Sequence, residues 1–201
     1  MSIGMTREVG VNSIPIWQGT GKDIQLAQGG FSLAATGLTA GAVIPAGTGF
    51  VFDEATRVAT LWGGAVLYAD ATDVATTYQV KKGHTFVVGK YLASVVGGKA
   101  YAITAIDTTT STLYDILTVG TTLGVALTAG ANFFSSTATG ASAAALPAIN
   151  GLLYDDTLAN TGESVSLVIR GTVYARRIPF TYSTALAALT GMKNIIFSQS
   201  K

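Results

Sequence analysis

Apolar and polar residues alternate along much of the chain in short stretches. In the run SVSLVIR at 164–170, Val165, Leu167 and Ile169 alternate with Ser164, Ser166 and Arg170, which is close to the two-residue period of a strand with one buried face. Short strands at regular spacing, separated by turn residues, predict a mainly β protein built as a small β-sandwich or barrel. The strands are predicted at 40–44, 49–52, 57–62, 65–68, 77–80, 85–88, 91–96, 99–106, 113–119, 152–155, 164–176 and 194–198.

Turn and helix signals punctuate these strands. Pro45 fixes its own φ and Gly47 accepts a positive φ, so the sequence IPAG is predicted to be a turn. One short helix is predicted near the C-terminus, from Thr184 to Leu189, with Gly191 ending it.

Residues 121–149 are rich in Ala, Gly, Ser and Thr and are predicted to be a long loop flanked by strands. Within it, 141–146 could form an Ala-rich helix that Pro147 would stop.

The pattern divides the chain into three parts. They are an extended N-terminal arm with short strand pieces (1–30), a discontinuous main β-domain (31–70 and 125–201) and an inserted β-rich subdomain (71–124). The stretches Ala40 to Phe52 and Gly151 to Pro179 are predicted to be the two ends of the main domain. In the arm, Trp17 has two interpretations: it packs on its own domain, or the arm inserts into a neighbouring subunit.

Composition narrows the possible functions. Charged residues make up 11% of the 201 residues, where about 25% is usual, so the surface is neutral and poorly protected from self-association. A hydrophobic fraction of 49% argues against a disordered chain. The formal net charge of +1 offers no field for attracting nucleic acid.

The sequence also bears on compartment. Long charge-free stretches are interrupted every few residues by Gly, Thr, Ser, Asn or Pro, so no membrane span is expected. Arg7 and Glu8 stand where a signal peptide would need an apolar run, which favours synthesis in a cytoplasm. The chain has no cysteine, which excludes a disulfide framework and a thiolate nucleophile.

Candidate chemistry is sparse. His84 is the single histidine and is interpreted as a turn residue, since a general base needs an orienting partner. Asp155 and Asp156 lack the alternating oxygens of a calcium loop and are interpreted as solvated turn acids. Arg176 and Arg177 are expected to form a structural salt bridge or to contact a partner's carboxylate. No catalytic, cofactor-binding or metal residues are predicted, and the protein is not expected to be an enzyme.

Several segments carry a resemblance to a known group of proteins. They are IPAGT with the strand pair after it, the later GLLYDD, SVSLVIRGTVY and ALTGMKNIIFSQS, and in the middle ATTYQVKKGHTFVVGKYL and GGKAYAITAIDTTTSTLYDILTVGTTLG. Over roughly Leu38 to Ser200 the chain resembles the head-fibre and head-decoration (auxiliary capsid) proteins of tailed bacteriophages, especially phages of gut Bacteroides-type hosts.

The resemblance implies a structural virion protein on the outer capsid surface, without a cofactor and made in the host cytoplasm, that stabilises the shell or presents a surface for attachment. Its implied partners are the major capsid protein, further copies of itself, often as a homotrimer, and in a head-fibre role another head-fibre protein. The chain ends at Lys201 directly after the last predicted strand, which favours decoration over a complete fibre. The arm is the predicted capsid-binding segment, with Ile14, Ile16 and Trp17 as anchors, because it is extended and precedes the main domain.

One alternative function stays open. A carbohydrate-binding or adhesin module on the virion surface would place its site in the inserted subdomain. Exposed aromatic side chains would then form a platform, although most of them are expected to be core residues. The candidates are Tyr78, Phe86, Tyr91, Tyr101 and Tyr114.

Overall fold

The computed structural model describes residues 15–19, 22–179 and 190–199. These residues form seventeen strands and one 3-10 turn, Thr190–Met192, so the predicted mainly β class is confirmed. The strands are β1 (Trp17–Gln18), β2 (Gln25–Leu26), β3 (Phe31–Leu33), β4 (Val43–Ile44), β5 (Gly49–Asp53), β6 (Val58–Leu61), β7 (Gly64–Val66), β8 (Thr77–Lys81), β9 (Tyr91–Ala93), β10 (Ala100–Asp107), β11 (Tyr114–Val119), β12 (Asn132–Ser136), β13 (Gly151–Leu153), β14 (Thr157–Leu158), β15 (Ser164–Val165), β16 (Leu167–Tyr174) and β17 (Ile195–Ser198).

The largest sheet has nine strands and joins the early part of the chain to the late part. Its main path is β1-β16-β13-β5-β6-β3-β15, and β2 and β17 also pair with β16. Only Ser166 separates β15 from β16, although β15 lies at the far end of the path, so the sheet curls back on itself. Its inner face buries apolar side chains completely or nearly so, among them Phe31, Phe50 and Leu153.

The pairing of β5 with β13 aligns Phe50 with Gly151 and Gly49 with Leu152. The stretches beginning at Ala40 and Gly151 therefore meet directly in one sheet. Gly151 is the residue that allows this approach, because a Cβ there would lie 3.0 Å from the Phe52 ring.

The second sheet has six strands, all taken from residues 64–136, in the order β7-β12-β9-β10-β11-β8. It also curls, because Leu67, which directly follows the edge strand β7, forms a β-bridge with Val80 in the other edge strand, β8. Tyr78 and Phe133 lie inside the curl with their ring centroids 5.1 Å apart. These strands begin before and end after the predicted insertion of 71–124.

One apolar cluster joins the two curled sheets. Ala93 and Phe134 from the six-stranded sheet share it with Ile149, Leu152 and Val173, which lie on or beside the nine-stranded sheet. All five are at most 1% exposed. The two sheets therefore have separate inner cores and a common one between them.

Several sequence predictions need correction. The strand predicted at 85–88 is irregular chain, because Thr85 uses its amide and hydroxyl to bond Gly64 at the start of β7. The loop predicted at 121–149 contains strand β12, and 141–146 forms no helix. The amides of Ala144 and Ala145 bond instead to the Gly98 carbonyl and the Ser136 hydroxyl.

The helix predicted from Thr184 to Leu189 lies outside the described residues. Gly191, predicted to end it, lies in the 3-10 turn.

Candidate functional site

Of the three predicted capsid-binding anchors, Ile14, Ile16 and Trp17, the structure describes the last two. Ile14 lies outside the described residues. Ile16 is 8% exposed and belongs to the shared core cluster, while its carbonyl accepts the Tyr174 amide at 2.8 Å. In the single chain, the Ile16 side chain is thus used for packing.

Trp17 also packs on its own chain. Its indole N–H donates to the Tyr154 carbonyl at 2.8 Å, and the two rings stack with centroids 6.2 Å apart. In β1, Trp17 pairs with Val173 of β16. Of the two interpretations of Trp17, the structure shows packing on its own domain; contact of these anchors with a capsid stays a prediction.

Arg177 links the residue before Ile16 to the end of β16. Its guanidinium donates to the Pro15 carbonyl at 2.7 Å and lies 4.5 Å from the ring centroid of Tyr174. Among the described residues, the partners of Arg177 are therefore a carbonyl and an aromatic ring rather than a carboxylate, and contact with a partner's carboxylate stays a prediction. Residues 175–177 form a turn rather than the end of a strand.

His84 lies in a cluster of charged and titratable side chains with Lys82 and Asp115. Its side chain is 7% exposed, and Nε2 lies 3.4 Å from Oδ2 of Asp115. Lys82 approaches the other oxygen of Asp115 at 2.5 Å and also donates to the Thr108 carbonyl at 2.7 Å. Burial lowers the pKa of His84, a change that Asp115 opposes and Lys82 reinforces. His84 is thus a buried structural residue and not a solvated turn residue.

The sequence carried a signal for this cluster. In YDILTV, Asp115 shares the alternation of Leu117 and Val119, whose side chains are buried. A carboxylate on the buried face of a strand requires hydrogen-bonding or charged partners, and KKGH at 81–84 supplies them across the neighbouring strand.

The aromatic residues considered for a sugar platform do not share one exposed face. Tyr78 and Phe86 are buried at 1% and 4% exposure. Tyr91, Tyr101 and Tyr114 are half-buried, and the Tyr114 ring lies against Tyr68 with centroids 5.1 Å apart. Of the five, Tyr91 borders an open cleft.

This cleft, which we call the inter-sheet cleft, has a volume of about 540 Å³ and is lined by residues of both sheets and of the loop at 85–90. Its apolar surface includes Leu38, Val51, Leu61 and Val87, and Trp62 lies at its buried end. Polar groups come from Thr36, Thr60, Ser135, Tyr91 and Lys90, and Lys90 is the one charged residue in the lining.

A separate apolar feature lies on the two-stranded sheet of β4 and β14, which we call the β4–β14 ribbon. Val43 and Leu158 are cross-strand partners and are 51% and 45% exposed. Ile44, the neighbour of Val43, is 2% exposed and points into the core. The ribbon therefore has one buried face and one exposed apolar face.

The ribbon is held in place by the turn IPAG and by the acidic pair after β13. The Pro45 carbonyl accepts the Thr48 amide, and Gly47 has a φ of 80°, as predicted for this turn. Asp156 accepts the Ala46 amide at 2.8 Å, so it has a structural role, and burial followed by the charge of Asp156 raises the pKa of Asp155.

The described residues contain neither a metal-ligand cluster nor a membrane-spanning helix. Within 15–19, 22–179 and 190–199, no group of three or more His, Asp or Glu side chains could hold a metal ion. None of the helical structure in these ranges has the length and apolar character needed to cross a bilayer.

Comparison of the chain with protein-family models, with curated proteins and with solved structures finds no match in any of the three.

Proposed function

We propose that this chain is a structural virion protein that binds the outer surface of a phage capsid, as an auxiliary decoration or head-fibre protein, and stabilises the shell. Its partners in this proposal are the major capsid protein and further copies of the chain. The resemblance of Leu38 to Ser200 to such proteins motivates the proposal. It is a proposal about assembly, in which the chain has no catalytic role.

The observation that carries the proposal is the exposed apolar face of the β4–β14 ribbon. Val43 and Leu158 lie side by side with about half of each side chain in solvent. A two-stranded ribbon has unpaired backbone groups at both edges, and such edges together with exposed apolar groups are used in protein association. The segments that carry the resemblance, IPAGT and GLLYDD, directly adjoin this ribbon.

The distribution of charge also supports a protein-binding role. In the described part of the chain, Lys82, His84 and Asp115 pair with one another, and the whole chain has twelve basic and eleven acidic residues. A surface with few charged groups can be covered by another protein over a large area, because few charges then lose their contact with water. An interface of about 800 Å² per partner, repeated over many capsid sites, can stabilise a shell even when each contact is weak.

The direct test is binding to capsids that lack the protein. Purified protein is mixed with such particles, the particles are sedimented, and bound copies are counted, while light scattering gives the oligomeric state of the free protein. Saturable binding at a copy number that matches a symmetry axis is the expected result. A folded protein that does not sediment with the particles would refute the proposal.

Variants then locate the contact. The double substitution Val43→Thr and Leu158→Thr is expected to weaken capsid binding with little change in stability, since both side chains are half exposed. Val74→Thr is the matched control, because Val74 is 74% exposed and belongs to a turn between β7 and β8 and not to the ribbon. Deletion of residues 1–14 tests the predicted arm and leaves the described contacts of Ile16 and Trp17 in place.

A further inference from the structure

We propose that the inter-sheet cleft binds a carbohydrate that carries a carboxylate group. This inference concerns a different surface from the β4–β14 ribbon and does not rest on capsid binding. The volume of about 540 Å³ falls within the range of roughly 300–1,000 Å³ that is usual for small-molecule sites. The cleft lies between two sheets, so its walls are held by strands on both sides.

Five of the polar groups that line the cleft have no hydrogen-bond or ion-pair partner among the described residues, whereas the hydroxyls of Thr85 and Ser136 are bonded within the chain. The hydroxyls of Thr36, Thr60 and Ser135, the phenol of Tyr91 and the ammonium group of Lys90 make no hydrogen bond or ion pair with another described residue. A hydroxyl both donates and accepts, so each can pair with a sugar hydroxyl in either direction. Several such groups around one cleft fit a ligand that itself has many hydroxyls.

The apolar part of the cleft complements these groups. Tyr91 supplies a half-buried aromatic side chain, and Leu61 and Val87 supply aliphatic surface. A sugar ring has C–H groups on its faces and hydroxyls at its edge, so it needs apolar and hydrogen-bonding surface close together. Ligand sites that combine mostly apolar walls with a few placed polar groups have this character.

The positive charge of Lys90 in the cleft favours a sugar that carries a carboxylate. Lys90 is exposed, and no acidic residue lines the cleft beside it among the described residues. An exposed ammonium–carboxylate pair contributes about 0.2–1 kcal/mol, which corresponds to a preference of roughly 1.4- to 5-fold for an acidic sugar over its neutral counterpart.

The two tryptophans provide a direct readout. Trp62 lines the cleft, and its indole N–H donates to the Ser135 carbonyl at 3.3 Å. Trp17 lies elsewhere, against Tyr154. In an NMR titration of the ¹⁵N-labelled full chain with glucuronate, the indole signal of Trp62 is expected to shift and that of Trp17 is expected to stay.

Three probes and three variants complete the experiment. Glucuronate is expected to bind more tightly than glucose by the factor given above, and acetate is expected to give no saturable shift at Trp62. Lys90→Gln should reduce the affinity for glucuronate to that for glucose. Lys193→Gln removes an exposed charge outside the cleft and should change nothing, and Thr60→Val should weaken binding of both sugars.

The opposite results would overturn the inference. They are the absence of a Trp62 shift with either sugar, equal binding of acetate and glucuronate, or an unchanged preference in Lys90→Gln. A loss of capsid sedimentation in Lys90→Gln without any sugar-induced shift would also overturn it, because the cleft would then belong to a protein interface. Conversely, sugar binding by a protein that fails to bind capsids would support this inference while refuting the proposed function.

Discussion

Nε2 of His84 lies 3.4 Å from Oδ2 of Asp115, while Nδ1 of the same ring accepts the amide of Phe86 at 3.2 Å. Because Nδ1 accepts, the neutral ring carries its proton on Nε2, where it points to Asp115. Protonation of Nδ1 would place two N–H groups against each other. The geometry therefore favours neutral His84, in agreement with the lowering of its pKa by burial.

This relationship predicts a pH dependence of stability. The pKa of His84 is lowered in the folded protein, whereas in the unfolded chain it is near the ordinary histidine value of 6.5. The unfolded state thus binds the proton more readily, so the stabilisation is present above that value and is lost as the pH falls through the folded pKa. His84→Gln should show a smaller fall in the free energy of unfolding between about pH 8 and about pH 5, measured by urea titration. Parallel pH curves for the two proteins would contradict this.

Asp115 is expected to be the more costly residue to change. Asp115→Asn removes the carboxylate that pairs with Lys82 and His84, and should lower the free energy of unfolding by about 1–3 kcal/mol. The partial exposure of Lys82, 37% of its side chain, keeps the loss below that of a fully buried pair. Asp73→Asn is the matched control, since the Asp73 side chain is exposed and has no partner among the described residues. Equal effects of the two substitutions, in denaturant titrations at neutral pH, would rule out a special role for Asp115.

A comparison of alanine substitutions at Gly47 and Gly83 separates the effect of side-chain packing on stability from the effect of backbone strain. Gly47 and Gly83 have similar positive φ values, 80° and 84°, so alanine at either position costs about 1–2 kcal/mol in backbone energy. A Cβ at Gly47 would also lie 3.0 Å from Ile16 and 3.1 Å from Ile178, whereas at Gly83 nothing lies within 4 Å. Gly47→Ala should therefore lower the melting temperature more than Gly83→Ala. A larger loss in Gly83→Ala would show that the contact to Ile16 is unimportant.

Trp17 should contribute to stability through its indole N–H. Trp17→Phe keeps an aromatic ring beside Tyr154 but removes the donor to the Tyr154 carbonyl, which should cost about 0.5–1.5 kcal/mol. Tyr154→Phe keeps both the ring and the carbonyl, and is expected to be nearly neutral. The comparison is made by denaturant unfolding, and a neutral Trp17→Phe would mean that this hydrogen bond adds nothing to stability.

The sequence predicts strands that have a clear local pattern. It does not predict the structure of segments whose hydrogen bonds are made with distant parts of the chain. β5, β8, β10 and β11 lie within one residue of their predicted bounds, because each is a stretch of strand-forming residues bounded by turn residues. The single strand predicted at 164–176 is instead two strands, β15 and β16, separated by Ser166. The residues at 85–88 look equally strand-like, yet the Thr85 hydroxyl bonds to Gly64, a contact between distant segments. No local pattern could show it.

The candidate sites were less predictable than the strands. The inter-sheet cleft collects Thr36, Thr60, Lys90 and Ser135 from four separate segments, and none of these residues forms a motif with its sequence neighbours. His84 is buried beside Asp115. The alternation of β11 places Asp115 on the buried face, so the sequence indicates that Asp115 needs a partner but does not identify His84 as that partner. The exposed pair Val43 and Leu158 depends on a strand pairing that the pattern of short strands does not define.

The connectivity of the two sheets has a consequence for synthesis on the ribosome. The six-stranded sheet comes from one continuous stretch, 64–136, so all of its strands emerge before β13. The nine-stranded sheet is completed only when the late strand β16 pairs with the early strands β1 and β2, for example at Trp17 and Val173, and when β17 pairs with β16. Contacts between distant segments form late, so β3, β5 and β6 emerge with part of their sheet still missing. The six-stranded sheet is therefore expected to fold first and to offer the apolar surface of Ala93 and Phe134 on which the ends of the chain close.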